Sequence, residues 1–313
     1  MLDPGTAQEI ADRFDLGSDA ALSGPAAKGK LGQVWELTTP RGRFAVKESF
    51  GPFEERDGED AAFSEAARAV GVPTPEVLRV RDGSLIVPIG DDEIRLFGWV
   101  DLLEPDPGAD PAEVGSTVAA LHRVPFQGAR GVHPWYFEPV GGERWDGLVR
   151  DLRRARAPFA EDLAAYRDEL VAMEELIEPP DALRTCHRDL WADNLRITAG
   201  GGLCVIDWDN CGLADPSQEL ALVLFEFSGG DAARARALHE SYLGGGGTGA
   251  VDGRGNFSMA IAQLGHIGET AARRWLDSES EPDRAENEAW FRELVDRPLT
   301  RRGIDELLDA VTR

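Results

Sequence analysis

The sequence predicts an α+β chain in two parts: a small antiparallel sheet carrying one helix, then a larger and mostly helical part. Three observations lead there. The first hundred or so residues alternate short strand-like segments with turn signals. A single alanine-rich helical stretch interrupts those strands. From Asp101 onward the apolar residues recur at helical spacing instead.

Each element has its own signal. Residues 34–39 and 43–47 flank Pro40-Arg41-Gly42, a compact turn. Residues 59–70 favour helix and stop at Gly71-Val72-Pro73. Residues 76–80 and 84–87 flank Arg81-Asp82-Gly83, a second hairpin signal, and 93–100 closes the sheet. This divides the chain into an N-terminal part, 1–98, and a C-terminal part, 99–313. In the latter, Asp110 is the expected N-cap of a helix with Pro111 at its first position and Glu113 completing the cap. Val114, Val118 and Leu121 form its stripe. Residues 163–177 repeat the pattern with Leu163, Tyr166, Leu170, Met173 and Ile177. Strands at 195–198 and 203–207, joined by Gly200-Gly201-Gly202, interrupt the helices. Asp215-Pro216 then opens a helix with Leu220, Val223, Leu224 and Phe227 on one face. Gly244 to Gly247 reads as a flexible surface loop, and 257–313 reads as helices.

Composition bounds the function. With 313 residues, 42% hydrophobic and 29% charged, the chain can build a large core. No apolar run approaches the ~20 residues of a membrane span. The opening Met-Leu-Asp-Pro-Gly lacks the basic and apolar regions of a signal peptide, so a cytoplasmic location is expected. Cys186, Cys204 and Cys211 are odd in number and fit no zinc spacing, which makes them reduced structural residues. A formal net charge of −24 argues against a non-specific nucleic-acid binder and would suit a cationic substrate, although an acidic solubilising surface explains most of it equally well.

The chemistry concentrates in Cys186-His187-Arg188-Asp189-Leu190-Trp191-Ala192-Asp193-Asn194-Leu195, followed 13 residues after Asn194 by Asp207. Phosphoryl transfer through a loose transition state needs little covalent help. It needs a carboxylate to orient the acceptor hydroxyl and oxygen ligands to hold Mg²⁺ against the phosphates. Asp189 suits the first task as catalytic base. Asn194 and Asp207 suit the second, since magnesium takes hard oxygen ligands. Asp and Asn also favour turns, but chance rarely sets an HRDxxxxN string before an apolar strand that ends in Asp.

These residues resemble the aminoglycoside phosphotransferase family, a branch of the protein-kinase-like fold that includes choline and other small-molecule kinases. The family pattern His-Gly-Asp, four residues, Asn, then Ile-Asp-Trp-Glu/Asp and Asp-Pro, is matched by His187-Arg188-Asp189, Asn194, Ile206-Asp207-Trp208-Asp209 and Asp215-Pro216. Arg188 departs from the family's glycine. The resemblance implies a bilobal kinase-like fold and an ATP- and Mg²⁺-dependent transfer to a small-molecule hydroxyl. Aminoglycosides, amino sugars, and metabolic alcohols such as choline or homoserine are all acceptors of that kind, so resistance and metabolic roles both stay open.

Upstream, Phe44-Ala45-Val46-Lys47-Glu48 looks like the strand that offers a lysine to the α- and β-phosphates. Its expected helical partner is Glu65, with Glu59 as the alternative. Gly29 and Gly32, within the glycine-bearing segment 24–34, would let backbone N–H groups approach phosphates. Trp99 and Val100 form the linker whose backbone would read adenine, as in the family. Trp135, Tyr136, Phe137, Trp145, Trp275 and Trp290 are candidates for acceptor-pocket walls, with ordinary packing as the plainer reading. Glu143, Asp146, Glu161 and Asp162 are candidates to meet a substrate ammonium. A protein kinase would carry a long activation loop, but Asp207 and Asp215 are only eight residues apart. A non-catalytic nucleotide binder would be expected to lose Asp189, Asn194 or Asp207, and an interaction protein has only the acidic charge in its favour.

Overall fold

The computed structural model describes residues 2–29, 32–50 and 58–312. Helix α1 (Ala7–Arg13) precedes strands β1 (Ala21–Lys28), β2 (Gly32–Thr39) and β3 (Gly42–Ser49). Helix α2 (Glu59–Ala69) follows, then β4 (Val77–Leu78), β5 (Val87–Ile89) and β6 (Asp92–Gly98). Helices α3 (Pro111–His122), α4 (Gly142–Ala155) and α5 (Ala160–Glu174) lead to β7 (Arg184–Cys186). A hairpin of β8 (Leu195–Ile197) and β9 (Leu203–Val205) comes next, then β10 (Gly212–Ala214). The chain ends in α6 (Pro216–Ser228), α7 (Ala232–Gly244), α8 (Ser258–Asp277), α9 (Glu281–Asp296) and α10 (Arg301–Thr312).

Two compact units result. One holds Met1–Pro105 and Asn194–Asn210, the other Asp106–Asp193 and Cys211–Arg313. The sequence had put everything from 99 in the second part. Hydrogen bonds explain why the hairpin goes with the first: Leu103 N–H donates to Ile197 at 2.8 Å, Ala199 N–H to Asp101 at 2.7 Å and Val205 N–H to Pro73 at 2.8 Å.

In the first unit the strands run antiparallel in the order β1-β2-β3-β6-β4, and β5 also pairs with β6. The Arg81-Asp82-Gly83 turn forms, with Val80 N–H donating to Ser84 at 3.1 Å, but β4 and β5 do not pair with each other as a hairpin would. Each bonds to β6 instead, so the turn connects two neighbours of one central strand. Alternation sends Trp35, Leu37, Val46, Ile94 and Leu96 to one face, where Ile10 and Ala11 of α1 and Phe14 just after it seal the core. Helix α1 escaped the sequence reading, though Thr6, Ile10 and Phe14 carry its period. The opposite face takes Lys47 and Arg95, paired across β3 and β6.

The glycine-bearing segment is also more regular than expected. Gly24 to Lys28 lies in β1 and Gly32 opens β2; Lys30 and Leu31 fall outside the described residues. Gly29 N–H donates to Gly32 at 2.8 Å, closing the strand ends. A Cβ on Gly32 would sit 2.3 Å from the Glu48 carbonyl oxygen, so neighbouring backbone alone demands glycine there.

The second unit is mostly helical. Asp110 caps α3 through the Ala112 N–H, and Asp215 caps α6 through Ser217. The expected loop at Gly244 to Gly247 is a tight helix end: Gly246 and Gly247 N–H donate to Leu243 and Tyr242, and a Cβ on Gly247 would strike the Tyr242 ring at 2.2 Å. All three cysteines are buried and unbridged. Among the described residues no helix is long and apolar enough to cross a membrane.

Helices α3 and α7 meet where Gly115 leaves no room: a Cβ there would fall 2.1 Å from the Leu238 carbonyl oxygen. Gly115→Ala should therefore destabilise the protein by about 1–3 kcal/mol, more than the ~1 kcal/mol gained in helix propensity. Urea denaturation measures it, and an unchanged or raised midpoint would contradict the close packing.

Candidate active site

Two groups of residues carry the expected chemistry, one in each unit. The first is built on the face of the β3–β6 ladder opposite the core that α1 seals. Lys47 Nζ donates to Oδ1 of Asp207 at 2.6 Å and to Oδ2 of Asp209 at 2.8 Å. Residues separated by 160 positions in sequence thereby meet. Burial pulls the Lys47 ammonium down, but the two carboxylates outweigh it and hold its pKa above the ordinary value.

Asp207 adopts φ 59°, a left-handed backbone that a non-glycine residue rarely holds. Its neighbour Trp208 fixes the turn. The indole packs edge-on against Phe63 of α2 at 5.2 Å, and its Nε1 donates to Thr74 at 2.9 Å. Asn194 is buried, and its carbonyl accepts the Ile206 N–H at 2.9 Å, which ties it to the segment bearing Asp207. Strain of this kind gathers at functional turns. Asn194 and the half-exposed Asp207 offer the hard oxygens that Mg²⁺ takes, and they fit it chemically.

The expected Lys47–Glu65 pair is not what forms. Both carboxylate oxygens of Glu65 accept from Arg79, at 3.0 and 3.1 Å. Helical geometry explains the difference. Glu59, Phe63 and Ala67 occupy the buried face of α2, while the Glu65 side chain is 44% exposed. Sequence reasoning also missed Arg95 and Asp60, which pair on that inner side. An alternating strand makes Arg95 look like a solvent-facing residue, and only its cross-strand pairing with Lys47 would have flagged it. In the linker, Trp99 N–H already donates to the Arg43 carbonyl at 3.1 Å, and Arg43 lies over its indole at 4.9 Å.

The second group is the loop bearing Asp189. Arg188 stands at φ 67°, which accounts for glycine being the family's usual choice there. Its contacts offset the strain. The guanidinium donates to Cys211 and Gly131 carbonyls at 2.9 and 3.2 Å and lies over Tyr136 at 4.5 Å. A Cβ on Gly212 would collide with it at 2.6 Å. The Arg188 N–H donates to Glu219, and its carbonyl accepts from Gln263 at 2.8 Å. Gln263 also accepts from the Trp191 indole at 3.0 Å. The loop is therefore held on both sides of half-buried Asp189.

Behind it, Glu219 bonds His122 Nε2 at 2.7 Å, and His122 Nδ1 bonds the Tyr242 hydroxyl at 2.8 Å. Both ring nitrogens of this buried histidine are engaged. Burial pushes the Glu219 carboxyl up, yet His122, His187 and the Arg188 N–H outweigh it, so its pKa lies below the ordinary carboxylate value.

Several acceptor-pocket candidates have other duties. Trp145 is fully buried and donates to Glu174 at 2.8 Å, and Trp275 packs edge-on against Phe159. Asp146, Glu161 and Asp162 pair with Arg167, Arg153 and Arg292 at 2.6–2.8 Å. Arginines at suitable helical positions thus take three of the four carboxylates expected to meet an ammonium. Trp135 stacks on His266 at 4.9 Å.

The sequence model of the phosphotransferase enzyme family, APH, matches residues 24–253. No curated protein matches the chain significantly. Among solved structures, a spectinomycin phosphotransferase in complex with ADP and spectinomycin aligns with TM-score 0.69 at 12% identity, covering 99% of this chain and 98% of that one. The amicoumacin kinase hAmiN, in complex with AMP-PNP, Ca²⁺ and its ligand, aligns with TM-score 0.62 at 13% identity, covering 95% and 94%. Choline kinase LicA from Streptococcus pneumoniae aligns with TM-score 0.56 at 13% identity, covering 97% and 99%. The fold is kinase-like.

The Glu219 bonds predict a pH effect. A carboxyl with a lowered folded pKa contributes stability above its unfolded value of about 4.3 and loses it as pH falls through the folded one. Glu219→Gln should cost about 1–3 kcal/mol at neutral pH and lose less further stability than wild type on acidification. Urea melts from about pH 7 down to about pH 3, the span over which carboxylates titrate, check this; parallel curves would contradict it.

Proposed function

Because the chain belongs to the phosphotransferase enzyme family, which makes it a phosphotransferase acting on hydroxyl groups of small molecules, we propose that it moves the γ-phosphoryl group of ATP with Asp189 as catalytic base. The observation that carries the reading is the Lys47 ammonium seated on Asp207, a residue held in a left-handed turn beside Asn194. A strand lysine joined to a metal-type carboxylate is what a nucleotide site needs, since the same ammonium can turn to the α- and β-phosphates.

In this reading Asn194 and Asp207 hold Mg²⁺, and the ion would neutralise charge on the phosphate oxygens. Lys47 orients the α- and β-phosphates. Gly29 and Gly32 offer backbone near the phosphates, and the linker at Trp99 and Val100 reads the base; the engaged Trp99 N–H leaves that task to Val100 and to the linker carbonyls. Glu65 takes no part, because Arg79 occupies it. Asp189 accepts the hydroxyl proton of the acceptor as the oxygen attacks. Arg188, Glu219 and Gln263 keep the loop backbone fixed, so that Asp189 needs no reorganisation.

For the acceptor we propose a hydroxylated amine in the cytoplasm. Net charge of −24 supports it, as does the range of substrates named for similar folds, from spectinomycin to choline. The arginine-paired carboxylates at 146, 161 and 162 do not form its seat.

Asp189→Asn should leave Mg·ATP affinity unchanged and lower kcat by roughly 10²-fold or more. Near-normal turnover in the folded variant would remove Asp189 from its role. Asp207→Ala should weaken Mg·ATP binding more than binding of metal-free ATP. Calorimetry with and without Mg²⁺ decides this, and an equal loss in both conditions would count against metal ligation. With a cationic acceptor, kcat/KM should fall as salt rises to physiological strength, while the KM for ATP changes less. A neutral preferred acceptor with a flat salt response would rule the amine out.

A further inference from the structure

Arg95 plays no part in the sequence motifs, yet it sits at the centre of the first group. It lies on β6 directly across from Lys47 on β3 and is only 6% exposed. Its Nη1 donates to Asp60 of α2 and, at 3.2 Å, to Oδ1 of Asp209. Lys47 takes the other oxygen, Oδ2, at 2.8 Å. Each oxygen of Asp209 thus meets a protein cation, and one guanidinium ties that carboxylate to α2, where Asp60 is buried. Burying a guanidinium is costly, and the Arg95 Nε lies buried without a hydrogen-bond partner among the described residues. Both of its carboxylate contacts are made by the same nitrogen, Nη1, so one guanidinium at the far end of a long side chain bridges Asp60 and Asp209.

We propose that Arg95 is a positioning residue for the nucleotide and metal site: braced on Asp60, it holds Asp209 and so sets the turn that presents Asp207 and Lys47. This rests on the phosphoryl-transfer reading above. Asp209 is then a strut, its carboxylate held by Arg95 on one oxygen and Lys47 on the other. The left-handed backbone of Asp207 needs restraint from its surroundings. Trp208, anchored to Phe63 and Thr74, restrains the middle of the turn, and Arg95 restrains its end. Both restraints lead to α2, by Phe63 and by Asp60. The link between helix and metal turn that Glu65 was expected to supply through Lys47 runs instead through Asp60, Arg95 and Asp209.

Three variants test this. Arg95→Lys keeps the charge but shortens the side chain and loses Nη1; Arg95→Met with Asp60→Asn removes the pair without leaving a carboxylate buried alone; Asp209→Asn removes the strut. In folded protein, the first two should raise the half-saturating Mg²⁺ concentration and the KM for Mg·ATP by roughly 10-fold or more, the usual scale for residues that orient a ligand from behind, with the acceptor KM moving less than about twofold. Adding Arg95→Lys to Asp209→Asn should shift the Mg²⁺ requirement little further, because Arg95 acts through Asp209. Amide exchange at residues 206–210 in nucleotide-free protein should quicken in the first two variants. Wild-type Mg²⁺ requirement and exchange in both, or full additivity with Asp209→Asn, would overturn the proposal. If wild-type protein transfers no phosphoryl group to any acceptor, the functional reading fails, while the exchange measurement still decides what Arg95 does.

Discussion

The first unit depends on a single ammonium group. Lys47 lies in the second half of β3, and the carboxylates of Asp207 and Asp209 reach it from a segment that follows β9. Partly buried charges of this kind stay in place only while paired, since removing one partner leaves another uncompensated. Meeting the requirement shapes what surrounds it. The β8–β9 hairpin must bond to 101–103 and to Pro73, and Trp208 must lie against α2. A sheet, a helix and a distant hairpin are thereby held to one another.

The second unit meets a different constraint, the left-handed backbone at Arg188. Glycine would reach that conformation freely, but it would also let the loop take others. Arginine accepts the strain and uses its side chain to clamp carbonyls of Gly131 and Cys211, with glycine required opposite at 212. Glu219 and Gln263 bind the peptide groups on either side. The departure from the family's glycine is thus balanced by these neighbours.

Much of this was legible in the sequence where local rules govern. The caps at Asp110 and Asp215 and the turn glycines depend on nearby residues, and the HRDxxxxN string and strand lysine are short motifs. What escaped depends on which way a side chain faces in three dimensions. Glu65 and Glu59 both lie on α2; helical spacing already aligns Glu59 with Phe63, but the choice of 65 over 59 is overturned only by the packing that turns 59 inward and 65 outward. Arg95 reads as a surface residue until Asp60 is found beside it. The carboxylates at 146, 161 and 162 look available until their arginines are located. The hairpin at 195–205 reads as part of its sequence neighbourhood, because backbone bonds to residues a hundred positions away leave no local trace.

Label transfer tests the central claim most directly. The protein would be incubated with Mg²⁺, ATP labelled in its γ-phosphoryl group, and a panel of hydroxylated amines, and the products read by mass spectrometry. The account predicts label on an acceptor hydroxyl, in step with ADP release that requires both the acceptor and Mg²⁺. ADP release that ignores the acceptor, or transfer that proceeds undiminished without a divalent cation, would contradict it.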